Sequence, residues 1–334
     1  MNKVQSVYLK GWAVLFMMFY HFGGNLIAPE WRYDWSGNDW NKAFQMCVPI
    51  FLFLSGYGLM ASYKNNVAKG SVLLQMQIVR ALKLLKHYWF VTSPFIIIAL
   101  CMGKFQWSWE SFVLTFTSVK CVWCPFAWFI SLYIELILLF PFFIKIFKRN
   151  NEKLDIALFM GLIIVTKITS KIGWVDAEAT LISRQIKMLM IDTPIFINGF
   201  LFAKYGIFEM LCAKKIQNYS VYKIMGGVIL IVLSISFRAK IPLIGITELV
   251  HVPACLIGLL LIGKVSEKMF SAIIVFGKHS TTLWLIHSYF LLTFFQPLIY
   301  SVRIWPVAFC LFVGMCLVVS FKLDNLYLKI NSIK

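Results

Sequence analysis

Apolar residues in this chain fall into long blocks, with charged residues confined to the gaps between them. An α-helix needs about 20 apolar residues to cross a bilayer. Ten blocks approach that length, near residues 8–27, 44–63, 87–103, 126–146, 154–170, 188–205, 222–237, 243–262, 273–296 and 304–321. The weakest are the fifth, which ends around Lys167, and the pair at 222–262, which only Arg238-Ala-Lys240-Ile-Pro242 separates. Helix is the expected state of each block, because a helix satisfies its own backbone polar groups in lipid. The pattern predicts an all-α, polytopic membrane protein with about ten transmembrane helices. Spans and short loops use the whole of 1–334, so one integral-membrane domain is expected, with no separate soluble domain.

Composition supports that picture. The chain is 60% hydrophobic and 14% charged, whereas soluble domains carry about 25% charged residues. The net charge of +18 comes from 32 Lys and Arg against 14 Asp and Glu. In a soluble protein this excess would suggest nucleic acid as a partner. In a membrane protein basic residues gather in cytoplasmic loops, so no nucleic-acid partner is expected. About two thirds of the Lys and Arg fall on one side of the alternating blocks, among them Lys3, Lys10, Lys69, Lys148, Arg149, Lys214, Lys215, Lys264 and Lys334. That bias places both termini in the cytoplasm, in a multi-pass protein of the plasma membrane. The first block has the basic start and apolar run of a signal peptide but no small-residue cleavage site, so it is read as an uncleaved span. The eight cysteines are scattered, mostly inside apolar runs, where a thiol behaves as a small hydrophobe. The Cys121-x-x-Cys124 pair has no second Cys/His pair nearby, and no metal site is expected.

Ionisable groups inside apolar blocks are costly and mark candidate chemistry. The first block holds Lys10 near its start and His21 near its end. Eleven helical residues separate them by roughly 16 Å, about three turns, so both face one side. A buried, neutral His can accept or pass a proton; the bland alternatives are a satisfied core histidine and a snorkelling lysine. The second block contains Pro49 and Ser55-Gly-Tyr57-Gly. Small residues there permit close helix approach, and Pro49 is expected to loosen the backbone beside a cavity. Arg80, Lys83 and Lys86 recur every three residues along one helical face, which suits lipid headgroups or a phosphate-rich molecule. In the fourth block Glu135 must be protonated, paired or facing water, and it shares a face with Ser131 and Trp128. In the ninth, Ser280, Trp284 and His287 share a face. His251, with Glu248 three residues before it, is read as structural. Residues 28–42 and 104–124 mix Trp and Tyr with Asn, Asp and Glu, which suits sugar contacts but equally an interfacial aromatic belt. No phosphate-loop, nucleophile-elbow or zinc-protease motif is present.

Four stretches, in this order, resemble the acyltransferase-3 family of integral-membrane acyltransferases: Lys10-Gly-Trp-Ala-Val-Leu followed by His21, Val48-Pro-Ile-Phe-Leu-Phe-Leu-Ser-Gly-Tyr57, Trp128-Phe-Ile-Ser with Phe140-Pro141, and Gly277-Lys-His-Ser-Thr-Thr-Leu-Trp-Leu-Ile-His287. Asp192-Thr-Pro-Ile-Phe-Ile-Asn-Gly199 is similar to a further family segment. Lys10 stands where the family usually has Arg, and Arg80-x-x-Lys83 or Lys83-x-x-Lys86 stands for its Arg-x-x-Arg. The resemblance implies acetyl-CoA or another acyl-CoA as a cytoplasmic donor substrate, with no tightly bound cofactor. The acceptor it implies is a hydroxyl of a cell-surface polysaccharide or its lipid-linked precursor. On that basis His21, Lys10 and Glu135 are expected in catalysis, with Arg80, Lys83 and Lys86 on the CoA phosphates. Ser55, Tyr57, Trp128 and His287 are expected around the substrate. The competing expectations are a transporter or lipid-linked sugar flippase, and a non-catalytic relative that only binds its ligand.

Overall fold

The structure, a computed structural model, describes residues 1–24, 27–36, 38–67, 73–147, 151–171, 181–213, 221–240, 247–263 and 267–332. Lys69, Lys148, Arg149, Lys214, Lys215, Lys264 and Lys334, counted above toward the basic side, lie outside these residues, as does Pro242. The described residues form helices joined by turns: α1 (Lys3–Phe22), α2 (Asp39–Ala43), α3 (Cys47–Val67), α4 (Leu73–Cys101), α5 (Trp109–Phe116), α6 (Phe129–Ile146), α7 (Glu152–Lys171), α8 (Leu181–Lys204), α9 (Ile207–Ala213), α10 (Val221–Lys240), α11 (Glu248–Ile262), α12 (Glu267–Lys278), α13 (Ser280–Ser288), α14 (Gln296–Ser301) and α15 (Trp305–Ser332). A π-helical turn, Tyr289–Phe294, follows α13.

A helix occupies each of the ten predicted blocks, but among the described residues fewer than ten are long and apolar enough to cross a membrane alone. Six are: Trp40–Asn65, Leu73–Cys101, Phe129–Ile146, Ser183–Lys204, Val221–Lys240 and Trp305–Ser332. A seventh is the pair Glu267–Lys278 and Ser280–Phe294, if its 65° bend is one broken span. The remaining three fall short for visible reasons. α1 carries Lys3, Lys10 and His21, α7 carries charges at both ends, and α11 is a short apolar helix. The outer faces confirm an apolar environment. Ile156, Met160, Ile164, Val165 and Ile168 of α7 are exposed, as are Met225, Val228, Ile229, Val232, Leu233 and Phe237 of α10. Water-facing surfaces rarely present continuous apolar stripes of this kind, so this is a multi-pass membrane protein.

Three helix crossings bring backbones into contact, each with glycine on both partners. A Cβ on Gly56 of α3 would stand 2.0 Å from the Phe196 carbonyl oxygen, and one on Gly199 of α8 would stand 2.0 Å from that of Phe53. Gly11 of α1 abuts Ile273 of α12, Gly277 abuts Val7, and Gly227 of α10 faces Gly258 of α11. Where lipid supplies no hydrophobic drive between helices, such close packing holds a bundle together. Pro49 lies in the first turn of α3, directly after the 3-10 turn Phe44–Met46.

α1 is the inner helix. A capping box closes its start, with the Asn2 side chain accepting from the Gln5 N–H and the Gln5 side chain accepting from the Asn2 N–H. Tyr8, Leu9, Ala13, Val14 and Met18 are wholly buried. At its far end Gly23 bonds back to Phe19 and His21, and residues 28–42 fold over that end. Trp35 stacks on Phe19 with ring centroids 5.3 Å apart, Tyr33 stacks on Trp35, and the Asn41 amide donates to the Tyr20 carbonyl. These aromatics, read from sequence as suited to sugar contacts, are spent on packing; Trp40, Trp107 and Trp109 remain exposed.

The glycine crossings make a prediction. Gly199→Leu forces α3 and α8 apart and should lower the midpoint of thermal unfolding in detergent by well over 5 °C, or abolish the monodisperse peak on size-exclusion chromatography. An unchanged melting curve would contradict this packing.

Candidate active site

His21 sits in the last turn of α1, half-buried, and lines a cavity of about 380 Å³. The cavity extends from Lys10 to His21 along one side of α1, as their three-turn spacing predicts. Ser55, Phe51 and Val48 of α3 form a second wall. Phe126, Trp128, Phe129 and Tyr133, at the start of α6 and the turn before it, form a third. Ser280, Thr281 and Trp284 of α13 form a fourth.

Behind His21 lies His287, completely buried. Its Nε2 is 2.8 Å from His21 Nδ1, and its own Nδ1 is 2.5 Å from the Trp284 carbonyl oxygen. These contacts dictate the tautomers of the neutral pair. A carbonyl can only accept, so His287 carries its proton on Nδ1 and presents a lone pair at Nε2. His21 Nδ1–H donates to that lone pair. The remaining nitrogen of His21, Nε2, is left unprotonated, the state a general base requires. Phe126 fixes the ring, stacking on His21 with centroids 3.7 Å apart and planes 10° from parallel. The Trp284 indole N–H donates to the Phe126 carbonyl at 3.0 Å, so Trp284 orients both His287 and the ring that clamps His21.

Lys10 lines the same cavity and makes no hydrogen bond or ion pair among the described residues. An amine without a partner keeps its N–H groups available to an incoming acceptor atom. Ser55 also lines it, but its hydroxyl donates to the Phe51 carbonyl at 2.6 Å. Its one proton is therefore committed, and Ser55 offers the cavity lone pairs rather than a donor. Trp128 lines the wall as well.

The other predicted residues lie elsewhere. Glu135 is outside the lining, with one carboxylate oxygen buried and without a hydrogen-bond partner among the described residues; the group that touches His21 is His287. Tyr57 is at the opposite end of the bundle, bonded to the Met1 amino group at 2.8 Å and to Glu209 at 2.7 Å. Arg80, Lys83 and Lys86 do not share surroundings. Arg80 turns inward to Ser62 and Gln77, one turn from the cavity-lining Leu84. Lys83 is exposed, and Lys86 reaches Asn331 of α15 at 2.6 Å. Cys121 and Cys124 are buried thiols, not joined in a disulfide, near Tyr88 and Ser288. Sequence reasoning missed Phe126, Tyr133 and Gln45, which line the cavity without any motif to announce them.

A family model described as an acyltransferase domain, Acyl_transf_3, matches residues 7–323. The chain belongs to the acyltransferase-3 family. Nothing among curated proteins or solved structures matches it. The family match takes in both histidines, Lys10 and every helix packed around the cavity.

The tautomer assignment is directly measurable. In protein labelled with ¹⁵N-histidine, five residues contribute, and His21 and His287 should both show protonated Nδ1 and unprotonated Nε2 at neutral pH. Replacing His287 with Ala should remove the coupling between the two rings. A protonated Nε2 on His21 in the unaltered protein would refute the relay.

Proposed function

We propose that this acyltransferase moves an acetyl or other short acyl group from acyl-CoA to a hydroxyl of a cell-surface polysaccharide or its lipid-linked precursor. The observation that carries the reading is the two-histidine relay, which leaves an unprotonated nitrogen on a residue lining a cavity that Lys10 also lines about three turns away. The reading places the protein in the plasma membrane with both termini in the cytoplasm, so that Lys10 lies toward the donor side and His21 toward the acceptor side.

The reaction follows from those positions. His21 Nε2 takes the proton of the acceptor hydroxyl as its oxygen attacks the thioester carbonyl. The resulting imidazolium keeps its Nδ1–H on His287 Nε2, and the Trp284 carbonyl holds His287 in the accepting tautomer. Collapse of the tetrahedral intermediate breaks the C–S bond. The thiolate recovers the proton from His21 and leaves as the free thiol of CoA, while the acyl group stays on the acceptor oxygen as an ester.

Lys10 is too far along α1, roughly 16 Å by helical rise, to touch a carbonyl held at His21. Its assignment is therefore the pantetheine arm or the polar end of the donor. Arg80, which turns inward one turn before the cavity-lining Leu84, is assigned with Lys83 and Lys86 to the CoA phosphates. Lysine in place of arginine at position 10 keeps the charge but offers a point donor instead of a two-pronged one.

Two measurements test the reading. His21→Ala should lower acetyl transfer by at least about 10²-fold, in purified protein and as O-acetyl content of the envelope, at unchanged protein level; retained acetylation would remove His21 from the reaction. Lys10→Met should raise the KM for acetyl-CoA about tenfold or more, and Lys10→Arg should not. Acetyl-CoA cleavage that ignores both substitutions would point away from this cavity.

A further inference from the structure

One polar side chain at the His21 end of the cavity has no part in the proton relay. Gln45 lies in the helical turn between α2 and α3, and it lines the cavity beside Tyr20, His21 and Cys47. Its neighbour Phe44 packs against Phe16 and Phe19, with ring centroids 5.4 and 4.8 Å apart, which fixes that turn at the level of the last turns of α1.

The Gln45 amide is oriented from behind. Arg238, at the end of α10, is buried, and its Nη2 lies 3.3 Å from Gln45 Oε1 and 3.4 Å from Glu248 Oε1 at the start of α11. Arginine only donates, so it takes the amide oxygen and leaves the Nε2 hydrogens of Gln45, an exposed residue, available to another acceptor. Burying a guanidinium and a carboxylate in a membrane bundle is costly, and such groups are retained where they position something. Two regions distant in sequence, the turn before α3 and the consecutive helices α10 and α11, thus converge on one side chain at the cavity wall.

We infer that Gln45 is the acceptor-binding donor of this site: its Nε2, left available by Arg238, hydrogen-bonds an oxygen adjacent to the hydroxyl that His21 deprotonates, and so selects a polyhydroxylated, carbohydrate acceptor. This rests on the transferase reading above. A sugar offers what the wall can use, a neighbouring hydroxyl or ring oxygen for the amide and a C–H face for Tyr20, Phe126 and Trp128. A monohydric alcohol offers no second oxygen. Arg238 is a positioning residue that acts through Gln45.

The test uses the full-length protein in lipid nanodiscs, acetyl-CoA as donor, and envelope polysaccharide from the organism's own cells or n-butanol as acceptor. Gln45→Met removes the amide, whereas Gln45→Glu keeps an oxygen for Arg238 but removes the donor hydrogens. Both should raise the KM for polysaccharide about three- to tenfold, leave the KM for acetyl-CoA within twofold, and leave the KM for n-butanol unaltered. Transfer by the unaltered protein with no change of polysaccharide KM in either variant overturns the assignment of Gln45 and leaves the transferase reading standing. If the unaltered protein transfers nothing, the transferase reading fails, and tryptophan-fluorescence titration with the same polysaccharide decides the site. Weaker binding in both variants then supports Gln45 as a carbohydrate donor, and equal binding overturns it.

Discussion

The hydrogen bond between His21 and His287 is the constraint on which the rest of the bundle turns. It joins residues 266 positions apart, from the end of α1 to the last turn of α13. A bond between two imidazoles in a buried setting is productive only when both tautomers are set, and here the Trp284 carbonyl sets them in sequence. Much of the neighbouring structure serves that geometry. Phe126 presses on the His21 ring, Trp284 holds Phe126, and the π-helical turn begins directly after Ser288. Widened turns of this type are often found at functional sites because they re-aim side chains without ending the helix.

The glycine crossings are the scaffold for this site. Gly11 and Gly277 bring α1 and α12 into backbone contact, and α13 begins two residues after α12 ends. Gly56 and Gly199 do the same for α3 and α8. Close crossings leave little freedom to slide, since a shift of a residue would drive side chains into carbonyls. The cavity is thus bordered by helices whose spacing is set elsewhere. A second polar group strengthens the α12–α13 break: Asp324 of α15 binds both His279 and Thr282, and Thr282 is 2.9 Å from His87 of α4. Four segments meet there beside Ser280 and Thr281, which line the cavity.

Glu135 shows how far a motif carries. Its place in an apolar block marked it as an expensive carboxylate, and the family resemblance set it among the residues expected in catalysis. The structure puts His287 beside His21 and leaves Glu135 outside the cavity lining. The basic triplet on α4 divides in the same way, with Arg80 inward and Lys83 exposed. Three-residue spacing advances only 300° around a helix, so successive members drift off the face they begin on.

Sequence alone determined what depends on local composition and on distances along one helix. Apolar blocks too long for a soluble fold required helices in lipid, and helices stand at all ten of them. Lys10 and His21 share one side because eleven residues make about three turns, and the order of motifs carried the family. Tertiary structure decided everything that depends on which helices touch. It paired His21 with His287, committed the Ser55 proton to a carbonyl, and turned Tyr33 and Trp35 into packing while Trp40 stayed exposed. It also brought Gln45 to Arg238 and Glu248. A hydrogen bond has a reach of about 3 Å, and no periodicity along the chain specifies which side chains, hundreds of residues apart, will be brought within it.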